Sequence, residues 1–176
     1  MSKDIKIKKG LNINLKGEAE KTLLKAPRAE VFALRPENFH LVTPKLTVKE
    51  GAKVKAGEVL FYDKHQDSVN FVSPVSGTLK SIERGSKRVI TQLTIEADAK
   101  DEFLTHKPLD VEKADGATIK AHLLASGCWP FIMQRPYQII ARTDKTPKAI
   151  FISGYTTAPL AADLDFTLIG RKKTCN

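Results

Sequence analysis

Two cysteines, four histidines and a single tryptophan hold most of the reactive chemistry available to this chain of 176 residues. Cys128 and Cys175 lack the CxxC spacing of a zinc or iron–sulfur site. His40, His65, His106 and His122 are scattered, with no Cys or carboxylate at ligand spacing, so no metal site is expected. Cys128 lies in Ser126-Gly127-Cys128-Trp129-Pro130, without the GxSxG or Cys–His surroundings of a nucleophile, and no catalytic residue is expected. A phosphate cradle needs closely spaced glycines so that backbone can approach the pyrophosphate. Here Gly127 is followed by the bulky Trp129, and Gly154 by Tyr155-Thr156-Thr157-Ala158-Pro159, so neither a NAD nor a flavin site is expected. Trp129, Phe131, Met133, Arg135 and Tyr137 form an apolar, aromatic loop with a cationic member. Two readings of it stand: packing against further structure, or a wall for a flat apolar ligand. On the second, Trp129, Phe131, Arg135 and Tyr137 are the candidate contacts.

The elements that would position these residues are mainly strands. In Val48-Lys49-Glu50-Gly51-Ala52-Lys53-Val54-Lys55-Ala56-Gly57-Glu58-Val59-Leu60, Gly51 and Gly57 can take positive φ around an alternating Lys53-Val54-Lys55. Ser73-Pro74-Val75-Ser76-Gly77 makes a second reversal before Thr78-Leu79-Lys80-Ser81-Ile82. Residues 5–15 alternate around Gly10 and read as a strand pair within 1–25. Glu30 to Leu34, Leu41 to Val48, Val59 to Tyr62 with Val69 to Val72, and Thr78 to Ile82 with Val89 to Ile95 supply further strands. Many short strands at regular spacing argue for a closed or sandwiched β module over 26–97.

Beyond residue 98 the pattern changes. Ile119, Leu123 and Leu124 fall at helical spacing, with Thr118 as a plausible N-cap and Gly127 as a C′ residue. Pro130 and Pro136 oppose regular structure after the helix. Lys148 to Gly154 is a continuous apolar run that reads as a buried parallel strand. Residues 98–176 therefore read as the start of an α/β domain, and the chain as a shortened form or a fragment of something larger. A small appendage on the β module is the alternative.

The β module resembles the barrel-sandwich scaffold of lipoyl and biotinyl carrier domains. In those, a hairpin-tip lysine receives the prosthetic arm. The tip here is Asp63-Lys64-His65-Gln66-Asp67-Ser68, so a carrier modified on Lys64 is one reading. Counting back from Ser73-Pro74, Lys64 lies about two residues too far from the return strand, which argues for a longer tip loop and against modification.

Composition bounds the partners. The net charge is +9, with no aromatic interleaving of the lysines, so no nucleic-acid partner is expected. A solvated basic surface and a face docking on anionic membrane or an acidic partner both fit. No apolar run reaches the length of a membrane span, and Met1 to Lys9 leads into no signal-peptide core.

A set of ordered segments carries a second and more specific resemblance. Ile5-Lys6-Ile7-Lys8-Lys9-Gly10-Leu11, Arg35-Pro36-Glu37-Asn38-Phe39, Pro44 to Gly51, Leu60-Phe61-Tyr62-Asp63-Lys64, Ser73-Pro74-Val75-Ser76-Gly77, Leu123 to Pro130, Arg135-Pro136-Tyr137, Pro147 to Ile152 and Ala158 to Asp163 together resemble the N-terminal part of the A-subunit family of sodium-translocating NADH:quinone reductases. The family is similar to the C subunit of the Rnf complex and to the complex I flavoprotein. The resemblance implies a barrel-sandwich module followed by an incomplete, Rossmann-like α/β domain. It implies a cofactor-free subunit, peripheral on the cytoplasmic face of the inner membrane, with other subunits and ubiquinone as partners. NADH, flavins and an iron–sulfur cluster would belong to the rest of the complex. The implied role is quinone interaction and assembly during electron transfer coupled to Na⁺ transport. A bare interaction module is a further alternative.

Overall fold

A computed structural model describes residues 15–17, 20–153, 158, 161 and 163–168. The strand pair expected before residue 15 lies outside them, and residues 20–29 carry no strand. Two compact units are formed, Pro27–Pro147 and the two chain ends, Met1–Ala26 with Lys148–Asn176. The first holds every strand among the described residues.

Among the described residues nine strands run in chain order: β1 Val31–Leu34, β2 Pro44–Leu46, β3 Lys53–Val54, β4 Val59–Asp63, β5 Gln66–Val72, β6 Gly77–Arg84, β7 Ile90–Ala97, β8 Met133–Gln134 and β9 Ile139–Ile140. They form a four-stranded sheet β1-β7-β6-β3, a three-stranded sheet β2-β4-β5 and the small β8-β9 pair, all antiparallel. Period-2 burial gives β5 one apolar face, whereas β4 buries the adjacent Leu60 and Phe61 at a register irregularity. Val54, Leu79, Leu93 and Ile95 from the larger sheet meet Leu60, Phe61, Val69 and Phe71 from the smaller one in a single core. The pattern read for Lys53-Val54-Lys55 holds, with Val54 buried and both lysines exposed, and Gly51 and Gly57 have φ of +82° and +90°.

Within the core, Phe61 and Phe71 are cross-strand partners whose rings stack at 4.5 Å. Phe39, just past a 3₁₀ turn at Pro36–Asn38, packs edge-on against Phe71 at 4.7 Å. Burial of such rings supplies much of the hydrophobic stabilisation of a module this small.

The barrel is stapled on its outside. Arg28, ahead of β1, donates from both Nη atoms to Asp101, at 2.7 and 2.6 Å, and the Ser76 N–H also donates to Asp101 at 3.1 Å. One carboxylate thus joins the chain before β1, the turn before β6 and the segment after β7.

Helix α1, Gly116–Ala125, packs on the smaller sheet at β5. Its N-cap is Asp115, whose Oδ1 accepts from the Thr118 N–H at 2.9 Å, so the helix starts earlier than the Thr118 cap read from sequence. Its C-terminal end is as expected. Gly127 sits at C′ with φ of +70°, its N–H donates to Leu124 O, and the Cys128 N–H donates to Leu123 O. This is the paired hydrogen bonding of a Schellman motif. A Cβ on Gly127 would lie 2.5 Å from Val72 Cγ1, so glycine also lets the helix end close on β5.

Two other expectations are corrected. Despite Pro130 and Pro136, the chain after α1 forms a 3₁₀ turn at Trp129–Phe131 and the β8-β9 hairpin. Proline at the first turns of a 3₁₀ segment loses no bond that the turn needs. Lys148–Ser153 is not a buried strand. Ile150, Phe151 and Ile152 are 77%, 93% and 90% exposed, and among the described residues no strand pairs with them. An apolar run becomes a strand only where a neighbouring strand takes up its hydrogen bonds. Residues 164–168 form a short helix, α2 Leu164–Leu168.

Two outcomes test this architecture. The Arg28 guanidinium bonded to Asp101 holds that carboxyl below its ordinary value. Its stabilisation is therefore complete above the unfolded value of about 3.9 and is lost as pH falls through the lower folded value. Arg28→Met should lower the urea midpoint at pH 7, and its gap to wild type should close as pH falls through the depressed folded value of Asp101; an undiminished gap in acid would contradict the staple. Gly127→Ala should destabilise by about 2–4 kcal/mol, from the left-handed backbone and the collision with Val72 together, as read by chemical unfolding. A change within about 0.5 kcal/mol would show that the close approach is not needed.

Candidate functional site

A groove of about 580 Å³ opens between the 3₁₀ turn before β2 and the loop that follows α1. Asn38, Phe39 and His40 form one side, and Pro130, Phe131, Met133, Tyr137, Gln138 and Ile140 the other. Phe39 and Ile140 anchor its floor, since Ile140 belongs to the core and Phe39 rests on Phe71. Phe131 and Tyr137 stand at its rim, 75% and 72% exposed. The lining is apolar and aromatic with amide, imidazole and phenol groups among it, the composition of a site for a flat apolar molecule with a polar edge.

The hairpin that carries this wall is held from below. The Trp129 indole N–H donates to Ala141 O at 2.8 Å, and the Ala141 N–H donates to Ile132 O at 2.8 Å. Lys120 reaches over the Trp129 ring, its Nζ 5.8 Å from the centroid, and donates to Thr143 O. The Thr143 N–H donates to Gln66 Oε1 on β5 at 3.0 Å. The rim is thereby tied to both the helix and the smaller sheet.

The four residues singled out from the sequence separate into distinct places. Phe131 and Tyr137 line the groove. Trp129 does not; it is half-buried, packs against the core and braces the hairpin. Arg135 sits in the exposed turn between β8 and β9, where its Nη1 lies 3.5 Å from Gln138 Oε1. Sequence reasoning misses Asn38, Phe39 and His40, because they lie some ninety positions earlier and only the fold brings them across. The Arg35-Pro36-Glu37-Asn38-Phe39 segment is the available signal. Pro36 at the start of a 3₁₀ turn fixes the direction in which Phe39 leaves it.

The other candidates are structural or isolated. Lys64 is exposed at a tight tip, because β4 runs to Asp63 and β5 begins at Gln66. Only Lys64 and His65 lie between the two strands, so the tip is shorter than the Asp63–Ser68 loop read from sequence. The extra residues lie in a register irregularity between the Tyr62–Asn70 and Asp63–Gln66 pairs. Asp63 is buried and holds the turn by accepting from the N–H groups of Thr43 and His65, at 3.1 and 3.2 Å. His106 and His122 lie with ring centroids 6.0 Å apart, and among the described residues no group of three or more metal-ligating side chains assembles. Cys128 is exposed and free, against the buried role usual for such a thiol. Among the described residues no helix is long and apolar enough to cross a membrane.

The sequence that builds this arrangement is similar to known proteins. Residues 5–98 match the model of the NqrA N-terminal barrel-sandwich hybrid domain, and residues 114–176 that of the NqrA second alpha/beta domain. The chain is 39% identical over 161 residues to the A subunit of the Na(+)-translocating NADH-quinone reductase of Neisseria meningitidis serogroup C, covering 90% of this chain and 36% of the relative. It is 35% identical over 170 residues to the corresponding protein of Saccharophagus degradans, covering 96% and 38%. With that of Psychromonas ingrahamii it shares 34% over 171 residues, covering 96% and 38%. It thus spans somewhat more than a third of the length of these relatives. With both domain models matched in order along the same chain, the protein belongs to the NqrA family.

Proposed function

We propose that this chain works within the A subunit of a Na⁺-translocating NADH:quinone reductase, where it binds no cofactor of its own and contributes to ubiquinone interaction and to assembly. The groove between Phe39 and the β8-β9 hairpin carries the reading. A quinone is a flat ring with two carbonyl oxygens and an apolar tail. Phe39, Phe131 and Tyr137 offer ring faces and edges to its body, while the Tyr137 hydroxyl, the Gln138 amide and the His40 imidazole offer donors for its carbonyls. Catalysis by the chain itself is not part of the role. NADH oxidation, flavin and iron–sulfur chemistry belong to the rest of the complex, and this chain sits on the cytoplasmic face of the membrane.

The position of Gly127 supports the cofactor-free reading. It ends α1, where carbonyl groups and the negative end of the helix dipole repel a phosphate, and its backbone closes on Val72. A helix whose N-terminus carries Asp115 as a cap also directs a carboxylate where a phosphate would need to lie.

The carrier reading keeps one specific observation, the exposed Lys64 at the tip of a tight hairpin. Intact mass separates it: a lipoyl or biotinyl arm adds mass that Lys64→Arg removes.

In the assembled complex, F131A/Y137A should raise the KM for a short-chain ubiquinone by about tenfold or more, given the apolar area removed. NADH oxidation by an artificial acceptor should be unchanged. Unchanged quinone KM would overturn the groove as the quinone-side surface, and loss of both activities would overturn the division of labour.

A further inference from the structure

The connection between β6 and β7 uses residues that its backbone does not favour. The Val89 N–H donates to Ser86 O at 3.2 Å and the Gly85 N–H to Val89 O at 2.8 Å, closing a tight turn around Lys87 and Arg88. Lys87 has φ of 54° and ψ of 25°, and Arg88 has φ of 61°. Two consecutive left-handed residues are the geometry of a type I′ hairpin turn, for which Asn-Gly is the unstrained choice. A long cationic side chain at each position gains nothing for the turn itself. Arg84 enters the same tip and donates to Arg88 O at 3.3 Å.

All three cations are exposed. Among the described residues none of them forms an ion pair, whereas Arg28, Arg35, Lys55, Lys80, Lys113 and Arg142 each have a carboxylate partner. The nearby carboxylate, Glu83, accepts from Gln92 Nε2 at 3.2 Å. Val89, the next residue, is 57% exposed. A tight hydrogen-bonded tip with three exposed cations beside an apolar side chain is suited to a surface that is anionic outside and apolar beneath.

We infer that the β6-β7 tip, through Arg84, Lys87 and Arg88, docks on anionic phospholipid headgroups, with Val89 at the interface. The inference rests on the reading of the chain as part of an ion-translocating membrane complex, and it assigns the contact to a surface that the groove does not use. Cations flanking an exposed apolar side chain at a hairpin tip match the layering of a membrane surface, with anionic headgroups above and acyl chains beneath, so lipid is the better fit.

The test is sedimentation of the chain with vesicles of phosphatidylcholine and phosphatidylglycerol in a three-to-one ratio, and with phosphatidylcholine alone. Wild type should bind the anionic vesicles and not the neutral ones. K87N/R88G supplies the unstrained turn while removing two charges, so it should raise the melting temperature and weaken binding by about 30-fold. K53Q/K100Q removes the same charge from exposed positions elsewhere and should weaken binding by less than about threefold. Equal loss in the two variants would overturn the proposal in favour of non-specific attraction to net charge. Failure of wild type to prefer anionic vesicles would overturn it as well, leaving an acidic protein as the partner of the tip. Because the quinone KM of F131A/Y137A reads a different surface, that effect surviving while vesicle binding fails would refute the docking site alone.

Discussion

The stacked rings of Phe61 and Phe71 are the contact on which the rest of this molecule depends. They are cross-strand partners on β4 and β5, so their faces meet only if those strands pair in one register. That register turns Leu60 and Val69 inward as well, and it closes the smaller sheet against Leu79, Leu93 and Ile95 of the larger one. Leu60 and Phe61 are neighbours yet both buried, because the β4-β5 pairing is irregular at this point, and a slip of β5 by a single residue would carry Val69 and Phe71 to the outer face. Burial of the two rings, with about 0.5–1.5 kcal/mol from their stacking in addition to area, is what penalises that slip.

The same aromatic pair sets the position of the groove. Phe39 leans edge-on against Phe71 and carries the segment ahead of β2 with it. The opposite wall is positioned through the same strand, since β5 ends at Val72, against which Gly127 brings the end of α1. From there Trp129, Lys120 and Thr143 brace the hairpin. Both sides of the groove are thus referred to one strand, which is how a shallow site made from loops can keep a fixed width.

Much of the barrel is legible in the residues because strand alternation and turn chemistry are local. Lys53-Val54-Lys55, the positive φ at Gly51 and Gly57 and the helix end at Gly127 all follow from side-chain period and from the absence of a Cβ. The failures are of another kind. The hairpin tip at Lys64 reads as longer than it is because some of its residues are absorbed by the strand in an irregular register. Ile150-Phe151-Ile152 reads as a buried strand because apolar content says that a segment can be covered and not what covers it. Thr118 has the side chain of a cap, but its own N–H is the group being capped, by Asp115 three residues earlier.

The sequence by itself determined the β module, its turn glycines, the helix stop at Gly127 and, through ordered segments spread along the chain, the family. These are properties of neighbouring residues, carried by backbone sterics and by side-chain period. Which aromatic residues share a site was decided only by the tertiary structure. Phe39 and Tyr137 are far apart in the chain, and nothing local distinguishes Trp129, which braces the hairpin, from Phe131, which lines the groove. Whether an aromatic ring is structural or available depends on what packs against its faces, and that is fixed when the sheet, the helix end and the 3₁₀ turn come together.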